Sequence, residues 1–314
     1  MKTWIGLLAA ILLTITVRGE TMTLKKSLDD ADQLFGKRQY EESEAAYRDL
    51  LPLAEKENDI TAQVEVLSQI ARCRLLARDK DDAREWLAKA EKLASPDQPL
   101  GWSRYLGVRG RIEWQDNDLK KATQTFIEMF GYCKEHDLTG RAIDAVHMVA
   151  IVGTPAEQIE WGRKGIKLAE ESDTKSWLGP LWNNLAITYC DLKDYEEAVA
   201  AFLQAREYHW RYGSEINKLY ADYHVGYALR LKGEHDEALK WLRPVLNWAE
   251  RLENDDVIGQ AAQDMGEIMI AQGDKAAGLE LLRRALGCYE REGYQDFAPD
   301  IIKKLKTRIA VLSE

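Results

Sequence analysis

Tyr220, Tyr223, Tyr227 and Arg230 succeed one another at spacings of three and four residues, with His224 among them, which gathers them on one side of a helix. Phenol rings, an imidazole and a guanidinium combine large contact area with directional donors. The chemistry they offer is recognition of a partner rather than bond breaking. Arg104, Arg111 and Trp114 form a second group of this kind, with Arg72 before them and the paired amides of Asn183 and Asn184 after them. Groups that would break bonds are not assembled in the same way. The 5 histidines include no zinc-protease pair, the cysteines no paired motif and the acids no calcium-loop spacing. Cys133 and His136 could share a helix face, yet two ligands do not close a metal site. Asp79, Asp81 and Asp82, and Asp116 with Asp118, fall in short polar turns and read as helix caps. No Gly-rich loop follows a strand, and no nucleophile stands beside a base. The expectation is a protein that is not an enzyme and uses no cofactor and no metal.

A repeat positions these residues. Ser43, Ala83, Ala122, Gln158, Ala198, Ala238 and Gly278 recur at intervals close to forty residues. Twelve residues before them stand Ala31, Ala71, Gly110, Val146, Ala186, Gly226 and Gly266, all but one of them Ala or Gly. Small residues at that place let two helices cross closely. Four residues after the anchors come Tyr47, Leu87, Phe126, Gly162, Phe202, Leu242 and Leu282, and seven after come Leu50, Ala90, Met129, Gly165, Ala205, Val245 and Ala285. Those spacings describe one face of a helix. Short polar turns separate the helices, with Gly233 and Gly273 as stops and Pro155 suited to a first turn. A period of this length marks a helical solenoid in which each unit buries its apolar face by stacking on its neighbours. The fold class is all-α.

Trp182-x-x-Leu185-Ala186-x-x-Tyr189, followed by Tyr195-x-x-Ala198-x-x-x-Phe202-x-x-Ala205, closely resembles the tetratricopeptide-repeat consensus. Gly226, Gly233, Ala238 and Leu242 repeat the pattern less completely, as do Gly266, Gly273, Leu282 and Ala285. The resemblance runs over roughly residues 24–293, is strongest in the last three units and departs in the fourth, where Val146 and Gln158 hold small-residue places. The usual unit is about 34 residues, so this chain looks like the extended variant found in kinesin light chains and bacterial peptide-sensing regulators. The resemblance implies a right-handed superhelical solenoid of about seven antiparallel helix pairs over 20–293, closed by a capping helix over 294–314. It also implies that the inward face of the first helices takes ligands. That face holds Tyr220, Tyr223, His224, Tyr227 and Arg230 in the sixth unit, Arg104, Arg111 and Trp114 in the third, Asn183 and Asn184 in the fifth, and Arg72 in the second. The seventh places Gln263, Asp264 and Glu267 there. The function so implied is a non-catalytic scaffold that binds a protein or peptide segment in its concave groove. The alternatives are a carbohydrate-handling role in envelope polymer export, with Trp114 and the tyrosines as stacking platforms, and, third, an enzyme.

At 314 residues the repeats leave no room for a second globular domain. Lys2, the apolar stretch Trp4 to Val17 and the small-residue end Val17-Arg18-Gly19 have the layout of a signal peptide over 1–19. The protein is therefore expected to be exported, to a periplasm or beyond. Its formal net charge is −10, and loss of Lys2 and Arg18 with the leader makes the remainder more acidic still. Such a chain repels phosphate backbones and anionic lipid, so nucleic acid and membrane are not expected partners. Cys73, Cys133, Cys190 and Cys288 are spaced several repeats apart and read as buried free thiols. The last segment carries Ile301, Ile302, Leu305, Ile309 and Leu312 as one apolar face, with lysines and Arg308 on the rest.

Overall fold

The computed structural model describes residues 24–314. The signal peptide expected over 1–19 lies outside the described residues. Among the described residues there are helices and no strand. They are α1 (Leu24–Gly36), α2 (Tyr40–Lys56), α3 (Ile60–Leu76), α4 (Lys80–Glu91), α5 (Pro99–Gln115), α6 (Leu119–Glu135), α7 (Thr139–Val152), α8 (Pro155–Glu170), α9 (Leu178–Asp191), α10 (Tyr195–Tyr212), α11 (Glu215–Lys232), α12 (His235–Arg251), α13 (Asp255–Ala271), α14 (Lys275–Arg291), α15 (Tyr294–Phe297) and α16 (Pro299–Ser313). Odd-numbered helices through α13 are the first members of antiparallel pairs. The chain divides into two compact units, one ending at Tyr105 and one over Leu106–Glu314. The boundary falls within α5.

The turns are built as the sequence suggests. Asp79, Asp118, Asp194 and Asp274 accept from the third backbone N–H of α4, α6, α10 and α14, satisfying donors that the helix start leaves open. Thr154 and Glu157 form a reciprocal capping box around Pro155 at the start of α8. Gly233 and Gly273 hold φ of 88° and 93°, whereas Arg38, Arg78, Asn117 and Lys193 hold the same left-handed turn without glycine.

The repeat register is also as read. Ser43, Ala83, Ala122, Ala198 and Ala238 are fully buried, and Gly278 is buried too. The small residues mark genuine close crossings. A Cβ on Gly226 would lie 2.8 Å from Leu242, and one on Gly110 would lie 2.7 Å from Phe126. In the first repeat the Ser43 hydroxyl donates to the Ala31 carbonyl at 2.9 Å, so a polar anchor fits without cost. The fourth repeat differs for a physical reason. Val146 is fully buried on α7, and the room it needs comes from Gly165 on α8, whose missing Cβ would lie 2.9 Å from Val146 and 2.8 Å from Leu181. Gln158 stays half-buried and bridges repeats, donating to the Ile151 carbonyl at 3.0 Å and accepting from Thr188 at 3.0 Å.

All four cysteines are buried and free. Cys133 and Cys288 lie inside α6 and α14. The last helix buries Ile302 and Leu305 against Leu282, Ala285 and Tyr289. Ile301 does not join that face: it is 41% exposed, because α16 turns its neighbour Ile302 inward. No helix among the described residues is long and apolar enough to cross a membrane.

Candidate functional site

In the first unit the two expected contact arginines have unlike settings. Arg72, on α3, lays its guanidinium 4.7 Å over the Phe35 ring. Arg104, on α5, donates to Asp32 at 2.6 Å and lies 3.4 Å from Glu65. Asp32 also accepts from the Tyr47 hydroxyl at 2.5 Å and from Gln69 at 3.0 Å. Gln69 donates to Tyr47 as well, at 2.8 Å. Burial works against the Asp32 carboxylate, yet Arg104, Tyr47 and Gln69 together hold it below the usual range. The result is a polar hub tying α1, α2, α3 and α5, with Arg104 already paired to acids.

The second unit holds the rest. Arg111 is 9% exposed and donates to the Gly107 carbonyl at 2.9 Å and to Asp144 at 2.7 Å. Trp114, one turn later, is 39% exposed. On α11, Tyr220 donates to Asp256 of α13, which also accepts from Tyr294 of α15. Tyr223 is not the open contact residue that its spacing suggests. It is 6% exposed, and its hydroxyl donates to Asp264 at 2.9 Å. A buried phenol needs such a partner, and the next repeat supplies one. His224 stacks on Phe202 with centroids 5.1 Å apart, and burial pushes it down to about 4. Tyr227 is half-buried and stacks on Tyr223 at 6.1 Å. Arg230 pairs with Asp264 at 2.6 Å and lies 5.5 Å from the Tyr227 ring centre. Burial pushes the Asp264 carboxyl up to about 6 despite Arg230 and Tyr223.

Three of the expected contact arginines, Arg104, Arg111 and Arg230, are therefore charge-compensated by acids of other repeats. Sequence reading missed these pairs because the partners are far apart along the chain. The available signal was an acid at an inward-face place of a neighbouring repeat, as Asp144 and Asp264 are. Asn183 and Asn184 stand apart. Both are half-buried on α9, and the Asn184 side-chain nitrogen is buried with no hydrogen-bond partner. Ile187, one turn on, is 41% exposed. An amide nitrogen without a partner, beside Asn183 and an open apolar residue, can serve an extended backbone and a side chain.

A second feature escaped the sequence reading. Trp86, Trp161 and Trp241 each follow a repeat anchor by three residues, and each meets a cation. Lys89 lies 3.7 Å from Trp86, Lys164 3.9 Å from Trp161 and Arg206 5.0 Å from Trp241. Arg206 also lies 4.9 Å from Trp210, and Asp222 accepts from both Arg206 and the Trp210 indole. Among the described residues no group of three metal-ligating side chains converges.

Known proteins place the fold. A family model of the tetratricopeptide repeat matches residues 218–291, and a second one matches 183–209. No curated protein sequence matches the chain. Among solved structures, a STAND signal-transduction ATPase with a tetratricopeptide-repeat sensor from Pyrococcus horikoshii superposes with TM-score 0.68 at 14% identity. That match covers 91% of this chain and 44% of the ATPase, so the chain spans less than half of that protein. The apo form of RapI superposes with TM-score 0.67 at 14% identity, covering 92% of this chain and 86% of RapI. Aspartyl phosphate phosphatase F from Bacillus subtilis gives TM-score 0.58 at 12% identity, covering 93% and 83%. Identities this low establish the fold alone. The two matched segments are tetratricopeptide repeats, and the helix pairing and register carry the same fold through the other described pairs.

Proposed function

We propose that the protein is an exported, non-catalytic scaffold that takes an extended protein or peptide segment along the first-helix face of α9 and α11. The observation that carries this reading is the Asn184 side-chain nitrogen, left unpartnered beside Asn183 and next to exposed Ile187. Amides pair with a peptide backbone through one donor and one acceptor each, and Ile187 offers a place for an apolar side chain. The guanidiniums of Arg104, Arg111 and Arg230 are paired with internal acids, which favours an uncharged segment over a free carboxylate. A glycan face would draw on the tyrosines, and Tyr220 and Tyr223 spend their hydroxyls on Asp256 and Asp264. The tetratricopeptide sensor named in the Pyrococcus ATPase is consistent with a recognition role for the fold here.

The test is selection of random linear peptides on the purified protein, followed by Asn184→Ala and Asn183→Ala. Loss of a backbone-paired amide should weaken the selected peptide by about 1–2 kcal/mol, roughly ten-fold, with melting nearly unchanged. Selected peptides that bind the double variant equally well would reject this face. N-terminal sequencing of native material checks the export half: a chain still starting at Met1 rejects it.

A further inference from the structure

Asp264 is the most enclosed acid of the α11–α13 face, at 4% exposure. It holds two side chains of α11: Arg230 at 2.6 Å and the Tyr223 hydroxyl at 2.9 Å. Arg230 lies over Tyr227, and Tyr227 stacks on Tyr223. One buried carboxyl thus sets the places of three side chains on the candidate binding face.

The groups around it come from every neighbouring helix. On α13 itself Glu267 is paired with Arg308 of α16 at 2.8 Å. From α14, Tyr289 donates to Gln263 at 3.0 Å, and burial raises its phenol. From α9, Cys190 lies near Arg230, and burial pushes its thiol up to about 11. Asp191 acts on Tyr227 from the same helix. On α11, His224 sits 5.3 Å from Tyr223, and with a value of about 4 it stays neutral near pH 6. Asp264 itself, pushed up to about 6 chiefly by burial, is the member of this group poised to change charge between about pH 7 and 5.

The geometry points to a proton-operated latch: ionised Asp264 holds Arg230 against the wall of the face, and protonated Asp264 releases the guanidinium to a carboxylate of the bound segment. Protonation removes the negative charge that Arg230 pairs with, while the neutral acid can still hydrogen-bond Tyr223. The inference rests on the reading of this face as a peptide-binding surface. It gives that surface a pH-dependent preference, for uncharged segments near neutrality and for carboxylate-bearing ones in mild acid.

The test needs no peptide. In the full chain, the Asp264 side-chain carboxyl carbon is followed by NMR against pH, assigned by its loss in Asp264→Asn. Exposure of Arg230 is read by relaxation enhancement from the anionic chelate Gd-DTPA, with Arg230→Lys as the assignment control. The latch expects a midpoint near 6 and a several-fold rise in Arg230 enhancement from about pH 7 to 5. Asp264→Asn should show the raised enhancement at both pH values. An unchanged enhancement in the wild-type protein across this range overturns the latch, and so does a folded Asp264→Asn that behaves like wild type at neutral pH. Either result leaves the peptide-binding reading to its own Asn184 test.

Discussion

Arg104 and Arg72 are the same residue type on neighbouring first helices of one unit, and their settings make them unequal. Arg104 has 17% of its side chain exposed and pairs with Asp32 and Glu65 at once. Removing it leaves buried Glu65 and half-buried Asp32 without their cation, which costs up to about 3–5 kcal/mol. Arg72 rests on the Phe35 ring, a stacking contact whose loss costs about 0.5–1 kcal/mol. Urea titrations should therefore show Arg104→Ala far less stable than Arg72→Ala. Equal losses would mean that the Asp32 hub is open to water and not a closed network. The same inequality explains what the sequence showed and what it hid. Residue type and helical spacing place Arg104, Arg111, Asn183 and Arg230 on first helices, which is where the structure has them. Whether such a side chain is free or spent depends on acids up to 72 residues away. That was hidden at Tyr223, whose hydroxyl is satisfied only once α13 stacks on α11.

At the scale of the helix pair, the crossing is the feature that a sequence reports best. Small side chains admit two backbones at that distance, so they stand out at a nearly constant interval. The fourth pair shows the limit of this reasoning. The crossing constrains the sum of two side chains, and α7 keeps Val146 because α8 offers Gly165. Position by position the pattern looks broken, while as a pair it is intact. Gly226→Ala and Gly165→Ala should accordingly both destabilise, each by about 1–3 kcal/mol from overpacking. In the fourth pair a second change should compensate: Val146→Ala in the Gly165→Ala background should recover part of the loss. Thermal melts of the two single variants and the double variant form the cycle. Strict additivity of Val146→Ala and Gly165→Ala would show that the two residues do not share the crossing.

Across the whole molecule, stability is assembled from neighbours, because each helix pair buries its faces on the pairs beside it. The core of the first unit gathers Ala31, Tyr47, Val66 and Ile70. In the second unit a long cluster runs from Ile143 to Cys288, and a separate one joins Leu282, Ala285 and Tyr289 to Ile302 and Leu305 of α16. That last cluster makes α16 the cover of the seventh pair. Three polar ties reinforce it: Tyr294 to Asp256, Arg308 to Glu267 at 2.8 Å, and Lys306 to Glu290 at 2.8 Å. A chain ending before Tyr294 would uncover Leu282 and Tyr289. Exposing Ile302- and Leu305-sized contacts costs about 1.5–3 kcal/mol apiece, and the exposed ion pairs add little. Since each pair feels chiefly its neighbours, that loss should stay local. Hydrogen exchange of the truncated chain should accelerate strongly in α13 and α14 and hardly at all in α7 and α8. A uniform acceleration through the second unit would show that it opens as one cooperative block, and that α16 supports the whole unit and not its last pair alone.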